Sequence, residues 1–158
     1  MKTVYLETSI FSFYYDEREQ PNIVARRNWT VDFWEACRQK YLFVTSPAVL
    51  VELGRGNKPQ KDRAFQLARS LPAVDLLPEI KQIAAIYVKQ FVMPRDPLGD
   101  ALHLAAASFH KCEFLATWNC RHLANANKAD HIRRVNNDLN LRTPAMVTPM
   151  ELLEVGID

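Results

Sequence analysis

Glycine is scarce in this chain, with four in 158 residues. Nucleotide-binding folds cradle phosphate on glycine-rich loops, and neither a GxGxxG nor a GxxxxGK[ST] pattern follows the first apolar run. A dinucleotide-binding, P-loop or other doubly wound phosphate enzyme is therefore poorly served. No apolar run reaches the ~18 to 20 residues that span a bilayer. The N-terminus also lacks the basic, apolar, small-residue order of a signal peptide, so the expected location is cytoplasmic. Cysteine is rare as well. Cys37, Cys112 and Cys120 form no CxxC pair and read as buried thiols of a reducing compartment. Cys120 and His122 supply only two of the ligands a zinc site needs, which excludes zinc. Neither sign of charge dominates. The net charge of +2 permits nucleic-acid binding without arguing for it.

What is present is 48% hydrophobic and sufficient for one domain over residues 1–158. Short β-rich runs fall at residues 3–6, 41–45, 73–77, 113–117 and 145–148. Segments of helical period lie between them. Thr30, Phe33, Trp34, Cys37 and Tyr41 share one stripe; Ile80, Ile83, Ala84, Tyr87, Val88 and Phe91 share another. Leu98, Ala101, Leu102, Ala105, Ala106 and Phe109 form a third, and Ile132, Val135 and Leu139 a shorter fourth. Ser46-Pro47 reads as a helix N-cap and first helical position, with Gly54 and Gly56 stopping that helix. Alternating strands and helices imply βαβ units, hence an α/β/α sandwich around a parallel five-stranded sheet.

Ligands of an open parallel sheet bind beyond the carboxyl ends of its strands. Glu7 ends the first run in YLETS, although glutamate is a poor strand former and a poor cap. Glu52 lies among apolar residues in SPAVLVELGRG, Asp100 lies in the first turn of the apolar helix LGDALHLAAASF, and Asn119 ends the fourth run in FLATWN. Singly, Glu52 and Asp100 read equally as solvent-facing acids, and Asp100 as a complement to the helix dipole. The sheet brings all four positions to one edge. Carboxylates gathered there repel one another unless a cation sits among them, and hard oxygen ligands suit Mg²⁺ or Mn²⁺.

The order YLETS, SPAVLVEL, DPLGDALHLAAAS and FLATWNCRHLANA resembles a PIN domain, the nuclease fold of VapC-type toxins, over essentially the whole chain. The resemblance implies strand order 3-2-1-4-5 and a metal-dependent ribonuclease. It makes Glu7, Glu52 and Asp100 the metal-holding acids, with Asn119 at the fourth catalytic position. It also implies a homodimer and a small antitoxin partner. Two positions depart from the family pattern: Glu7 replaces the usual Asp, and Asn119 is neutral where an acid is common, leaving three formal negative charges.

Thr8 and Ser9 would orient Glu7 or cap the next turn. Asp96 reads as a turn residue before proline or as a further site acid. His103 reads as a packed histidine or as a contact to Asp100 or to a phosphate. Arg55, Lys58, Arg95, Arg121 and His122 would meet RNA phosphates without reading sequence. Tyr14, Tyr15, Trp29, Trp34 and Trp118 offer base stacking, a partner interface or core. The rival to a nuclease is a nonenzymatic RNA-binding protein that keeps the fold without a full metal site.

Overall fold

The first apolar run becomes β1 (Thr3–Leu6), in which Val4, Tyr5 and Leu6 are all fully buried. Successive strand residues point to opposite faces, so three buried in a row require cover on both faces of the sheet. The computed structural model describes residues 1–94, 96 and 98–153. In it β1 lies between β2 (Leu42–Val44) and β3 (Phe114–Ala116), with β4 (Ala145–Val147) outside β3. All pairings are parallel, and Tyr5 stands opposite Val44 on one side and Leu115 on the other.

The sheet has four strands, not the five expected, in the order β2-β1-β3-β4. Of the run at 73–77, only Ala73 pairs, as a single bridge to Thr45. The Val74 N–H donates to the Thr45 carbonyl at 2.8 Å, and the Thr45 N–H donates to the Pro72 carbonyl at 3.0 Å. Pro72 brings no N–H to the ladder and Pro78 starts the next helix, so the extended stretch is cut off at both ends. It touches the sheet at the β2 edge, where the expected order 3-2-1-4-5 put it.

The helices are α1 (Thr8–Tyr14), α2 (Pro21–Cys37), α3 (Pro47–Arg55), α4 (Lys61–Arg69), α5 (Pro78–Lys89), α6 (Asp100–Phe109), α7 (Ala126–Asp138) and α8 (Pro149–Leu152). Proline opens four of them, α2, α3, α5 and α8, where its missing N–H has no intrahelical partner to lose. Ser46 takes the N-cap position of α3 but does not cap it; its hydroxyl turns to Tyr5 instead. Gly54 is inside α3, which runs on to Arg55. Phe91 leaves the α5 stripe: it lies beyond the helix at φ 59° and is 87% exposed. Leu98 precedes α6 and is exposed, whereas Ala101 through Ser108 are all buried. Trp34 packs in the core and Trp29 is on the surface. Cys37 and Cys112 are buried as expected, but Cys120, on the turn after Asn119, is exposed. Among the described residues no helix is long and apolar enough to cross a membrane.

One buried polar knot joins α5, α6 and α7. The Tyr87 hydroxyl donates to Asn136 Oδ1 at 2.5 Å, and Asn136 Nδ2 donates to Ser108 Oγ at 3.1 Å and Thr143 Oγ1 at 3.0 Å. Burial pushes the Tyr87 phenol up to about 12, against the Ser108 and Asn136 bonds, so it is a neutral donor at all ordinary pH. Asn136→Ala strands several of these groups at once and should cost about 2–4 kcal/mol in urea unfolding. Tyr87→Phe, which removes only the hydroxyl, should cost about 1 kcal/mol. Equal effects would show that the knot is not held through Asn136.

Candidate active site

Glu7 still belongs to the ladder: its backbone N–H donates to the Ala116 carbonyl of β3 at 3.1 Å. That pairing fixes it at the carboxyl edge of the two central strands. Contrary to its expected poor capping, Glu7 is itself the N-cap of α1. Its Oε2 accepts from the Ser9 N–H at 3.0 Å, the Ser9 hydroxyl at 2.5 Å and the Thr117 hydroxyl at 2.8 Å. Oε1 accepts no hydrogen bond among the described residues. No fully buried polar side-chain atom among them lacks a partner, so Oε1 is reached by solvent. Burial pushes the Glu7 carboxyl above its usual value, and the His103 charge and the Ser9 and Thr117 bonds oppose this without cancelling it.

Glu52 projects from α3 with both oxygens engaged. Oε2 accepts from the Thr8 hydroxyl at 2.7 Å, and Oε1 meets His103 Nε2 at 2.6 Å. His103 comes from α6 and is buried; its Nδ1 meets the Tyr5 hydroxyl at 2.7 Å, which meets Ser46 Oγ at 2.7 Å. Burial works against charge on His103, but the Glu52 bond and the charges of Glu52, Glu7 and Asp100 outweigh it and raise its pKa. Burial likewise lifts Glu52, yet the His103 bond and charge, then Thr8 and Arg55, bring it below the ordinary glutamate value. The imidazole thus supplies part of the cation that the gathered acids require.

Asp100 opens α6, and its Oδ2 accepts from Asn119 Nδ2 at 2.8 Å. Asn119 Oδ1 accepts from the Arg121 and His122 N–H groups at 3.2 and 3.0 Å, which fixes the amide with its nitrogen toward the acid. The Asn119 N–H donates to Thr117 Oγ1 at 2.9 Å. A continuous chain of bonds therefore runs Glu7–Thr117–Asn119–Asp100, and a second one runs Thr8–Glu52–His103–Tyr5–Ser46 beside it. All four expected positions and Thr8, Ser9 and His103 come together.

The others scatter. Asp96 is exposed, and its Oδ1 accepts from the Leu98 N–H at 2.9 Å, as a turn residue does. Arg95 lies outside the described residues. Arg55 and Lys58 are exposed at and just beyond the end of α3, and Lys58 lines a cavity of about 550 Å³ with Thr8, Ser12, Glu52 and Leu53. Arg121 is exposed and His122 half-buried after Asn119.

Sequence reasoning missed Tyr5, Ser46, Thr117 and Lys128. Thr117 was findable, as a hydroxyl at a strand end like Thr8 and Ser9. Burial lowers the Lys128 pKa while the Asp100 charge opposes that, which puts this α7 lysine beside the site. Nothing in the polar sequence of α7 singles it out.

A hard divalent ion suits these donors, because among the described residues Glu7 and Asp100 each keep one uncommitted carboxylate oxygen. Mg²⁺ is commonly held by one or two carboxylates while retaining water. Among the described residues no group of three His, Cys, Asp or Glu side chains is placed to enclose an ion. The arrangement fits that open mode rather than an all-protein cage.

The PIN domain family profile matches residues 4–147, and the chain belongs to the PIN domain family. No curated protein matches it. Among solved structures it is similar to VapBC2 from Rickettsia felis, crystallised bound to a DNA fragment from their promoter. That likeness has TM-score 0.59 and 14% identity, covering 92% of this chain and 98% of the other. It is also similar to FitAcB from Neisseria gonorrhoeae, with TM-score 0.54 and 13% identity over 94% and 99% of the two chains. At such identities the likeness concerns the fold.

The Glu52–His103 pair makes stability depend on pH. Glu52, lowered from 4.5, contributes above that value and loses the contribution as pH falls through its folded pKa. His103, raised from 6.5, contributes below that value and loses it as pH rises through its folded pKa. The attraction is fully present between about pH 4.5 and 6.5. In EDTA, the stability gap between wild type and His103→Gln should peak in that window and shrink on either side. A gap that ignores pH would mean that His103 is neutral throughout.

Proposed function

We propose that the chain is a divalent-metal-dependent endoribonuclease, the toxin of a type II toxin–antitoxin pair. The observation that carries this reading is the bonded chain Glu7–Thr117–Asn119–Asp100, with Glu52 beside it, at the sheet edge of a PIN domain. Mg²⁺ or Mn²⁺ would be held by Glu7 and Asp100, with Glu52 completing the charge. When bound, such an ion lowers the pKa of a water and offsets charge on the scissile phosphate.

The chain's own groups set up that chemistry. Ser9 and Thr117 hold Glu7 so that one oxygen stays open. Asn119 orients Asp100 through its amide nitrogen. Thr8 and His103 fix Glu52. Arg55, Lys58, Arg95, Arg121 and His122 position the RNA through its phosphates. Asp96 serves the turn ahead of α6. The toxin role, a small acidic antitoxin and a homodimer rest on the family and on the likeness to VapBC2 and FitAcB. An antitoxin helix laid over the cleft is the expected mode of inhibition. A cytoplasmic location agrees with that role.

A second reading, RNA binding without cleavage, is favoured by one observation: both Glu52 oxygens are already engaged. Chelation separates the two. Wild type should cut a mixed RNA pool with Mg²⁺ or Mn²⁺ and not in EDTA. Asp100→Asn should lose about a hundredfold or more in rate with the melting temperature kept. Undiminished cleavage by the variant, or in EDTA, removes Asp100 and the metal from the mechanism.

Asn119→Asp tests the fourth position. The substitution adds a negative charge 2.8 Å from Asp100 Oδ2. At about 4 Å from a cation and an effective dielectric of about 20, a unit charge is worth roughly 4 kcal/mol before water competes. A quarter of that is about fivefold in affinity. Calorimetry should show tighter Mn²⁺ binding in the variant; unchanged or weaker binding places Asn119 away from the ion.

A further inference from the structure

The short helix α1 presents two different faces to the site. Thr8 and Ser12, four residues apart, line the cavity beside Glu52. Ser9 and Phe13, about 100° around the helix from them, turn toward the other flank. There Ser9 Oγ accepts from the Trp118 N–H at 2.8 Å, and the Phe13 ring meets the Trp118 ring edge-on with centroids 6.2 Å apart. The indole is locked in place, because its Nε1–H donates to Thr30 Oγ1 of α2 at 2.8 Å.

Arg26 lies one helical turn before Thr30. Its guanidinium carbon stands 5.6 Å from the Phe13 centroid and 5.5 Å from the Trp118 centroid. Stacking against two rings fixes the direction of a long side chain and leaves its N–H edges unused. Among the described residues the Arg26 guanidinium makes no hydrogen bond and no ion pair. The guanidinium of this half-buried arginine rests against Trp118, which lies in the chain between the Glu7-bonded Thr117 and the Asp100-bonded Asn119. The ring contacts engage the face of the guanidinium and leave its N–H fork open.

We propose that Arg26, oriented by Phe13 and Trp118, is a phosphate-binding residue that grips the RNA backbone next to the scissile phosphodiester. The inference rests on the ribonuclease reading above and adds a named contact to it. A planar fork of N–H donors matches two oxygens of one phosphate. Its fixed orientation lowers the entropy lost on binding. The cavity along the Thr8–Ser12 face and Arg26 beside the Ser9–Phe13 face would then give a strand two supports, one on each face of α1.

The test uses the full chain carrying Asp100→Asn to suppress cleavage, titrated with single-stranded RNA in Mg²⁺ at several salt concentrations. Adding Arg26→Gln should weaken binding about ten- to a hundredfold, the effect of losing charge-assisted hydrogen bonds. The slope of log affinity against log salt should become shallower by about 0.7, one phosphate contact to a single strand. Arg26→Lys should restore the slope while affinity stays severalfold below the parent, since the charge returns without the fork. If Arg26→Gln fails to fold, the Lys variant decides alone, and affinity equal to the parent's overturns the proposal. RNA binding by the parent that Arg26→Gln leaves unchanged also overturns it, with the ribonuclease reading intact. The same holds if only affinity for polyglutamate falls, which would assign Arg26 to an acidic protein. If the parent binds no RNA at all, both readings fall.

Discussion

A carboxylate buried at the end of a central strand must be bonded or neutral, because leaving it charged and unpaired costs several kcal/mol. Glu7 meets that constraint with three donors drawn from two places, Ser9 at the start of α1 and Thr117 at the end of β3. The same oxygen therefore caps a helix and ties that helix to the neighbouring strand. Once α1 is fixed, Thr8 reaches Glu52, Ser12 faces the cavity and Phe13 meets Trp118. Most of the geometry around the site follows from how one acid is satisfied.

The three acids coexist because the chain distributes their charge unequally. Glu7 is pushed toward its neutral form by burial, Glu52 is drawn toward its charged form by His103, and Asp100 shares an amide hydrogen with Asn119. The imidazole is anchored from behind by Tyr5 and Ser46. Burial raises the Tyr5 phenol far above its usual value, with the Ser46 bond opposing, so it remains a hydroxyl and never adds a fourth negative charge. The imidazole tied to Glu52 engages one of the acids, and among the described residues the outer oxygens of Glu7 and Asp100 stay uncommitted.

Around this centre the cations differ in how they are held. Arg55, Lys58 and Arg121 are exposed, where the attraction they would exert on a polyanion is adaptable and screened by salt. Lys128 is half-buried near Asp100, and Arg26 is pinned by rings. The exposed set suits attraction over distance and the held set suits register. Net charge alone, at +2, reveals neither.

Local periodicity was enough to find β1, α2, α5 and α6, because a period of two or of 3.6 is written in neighbouring residues. The Ser46-Pro47 pair marked where α3 begins for the same reason. Strand ends are local too, so Glu7 and Asn119 could be placed at one edge before any coordinates, and Glu52 and Asp100 followed from the helices next to those strands. The expected third strand was harder. Whether residues 73–77 pair along their length depends on what β2 offers them, and two prolines limited that pairing to one bridge. Side-chain direction lay further out of reach. Tyr5 meets Ser46 across 41 residues and His103 across 98. No local pattern predicts that a helix-opening serine will turn from its own helix to a buried phenol, or that an arginine on α2 will settle between rings from α1 and the turn after β3. The sequence by itself determined which elements form and which chemical groups reach the sheet edge, because those are short-range consequences of burial and backbone geometry. The tertiary structure alone decided which atoms of those groups are tied and which stay open, because that depends on partners brought together only by packing.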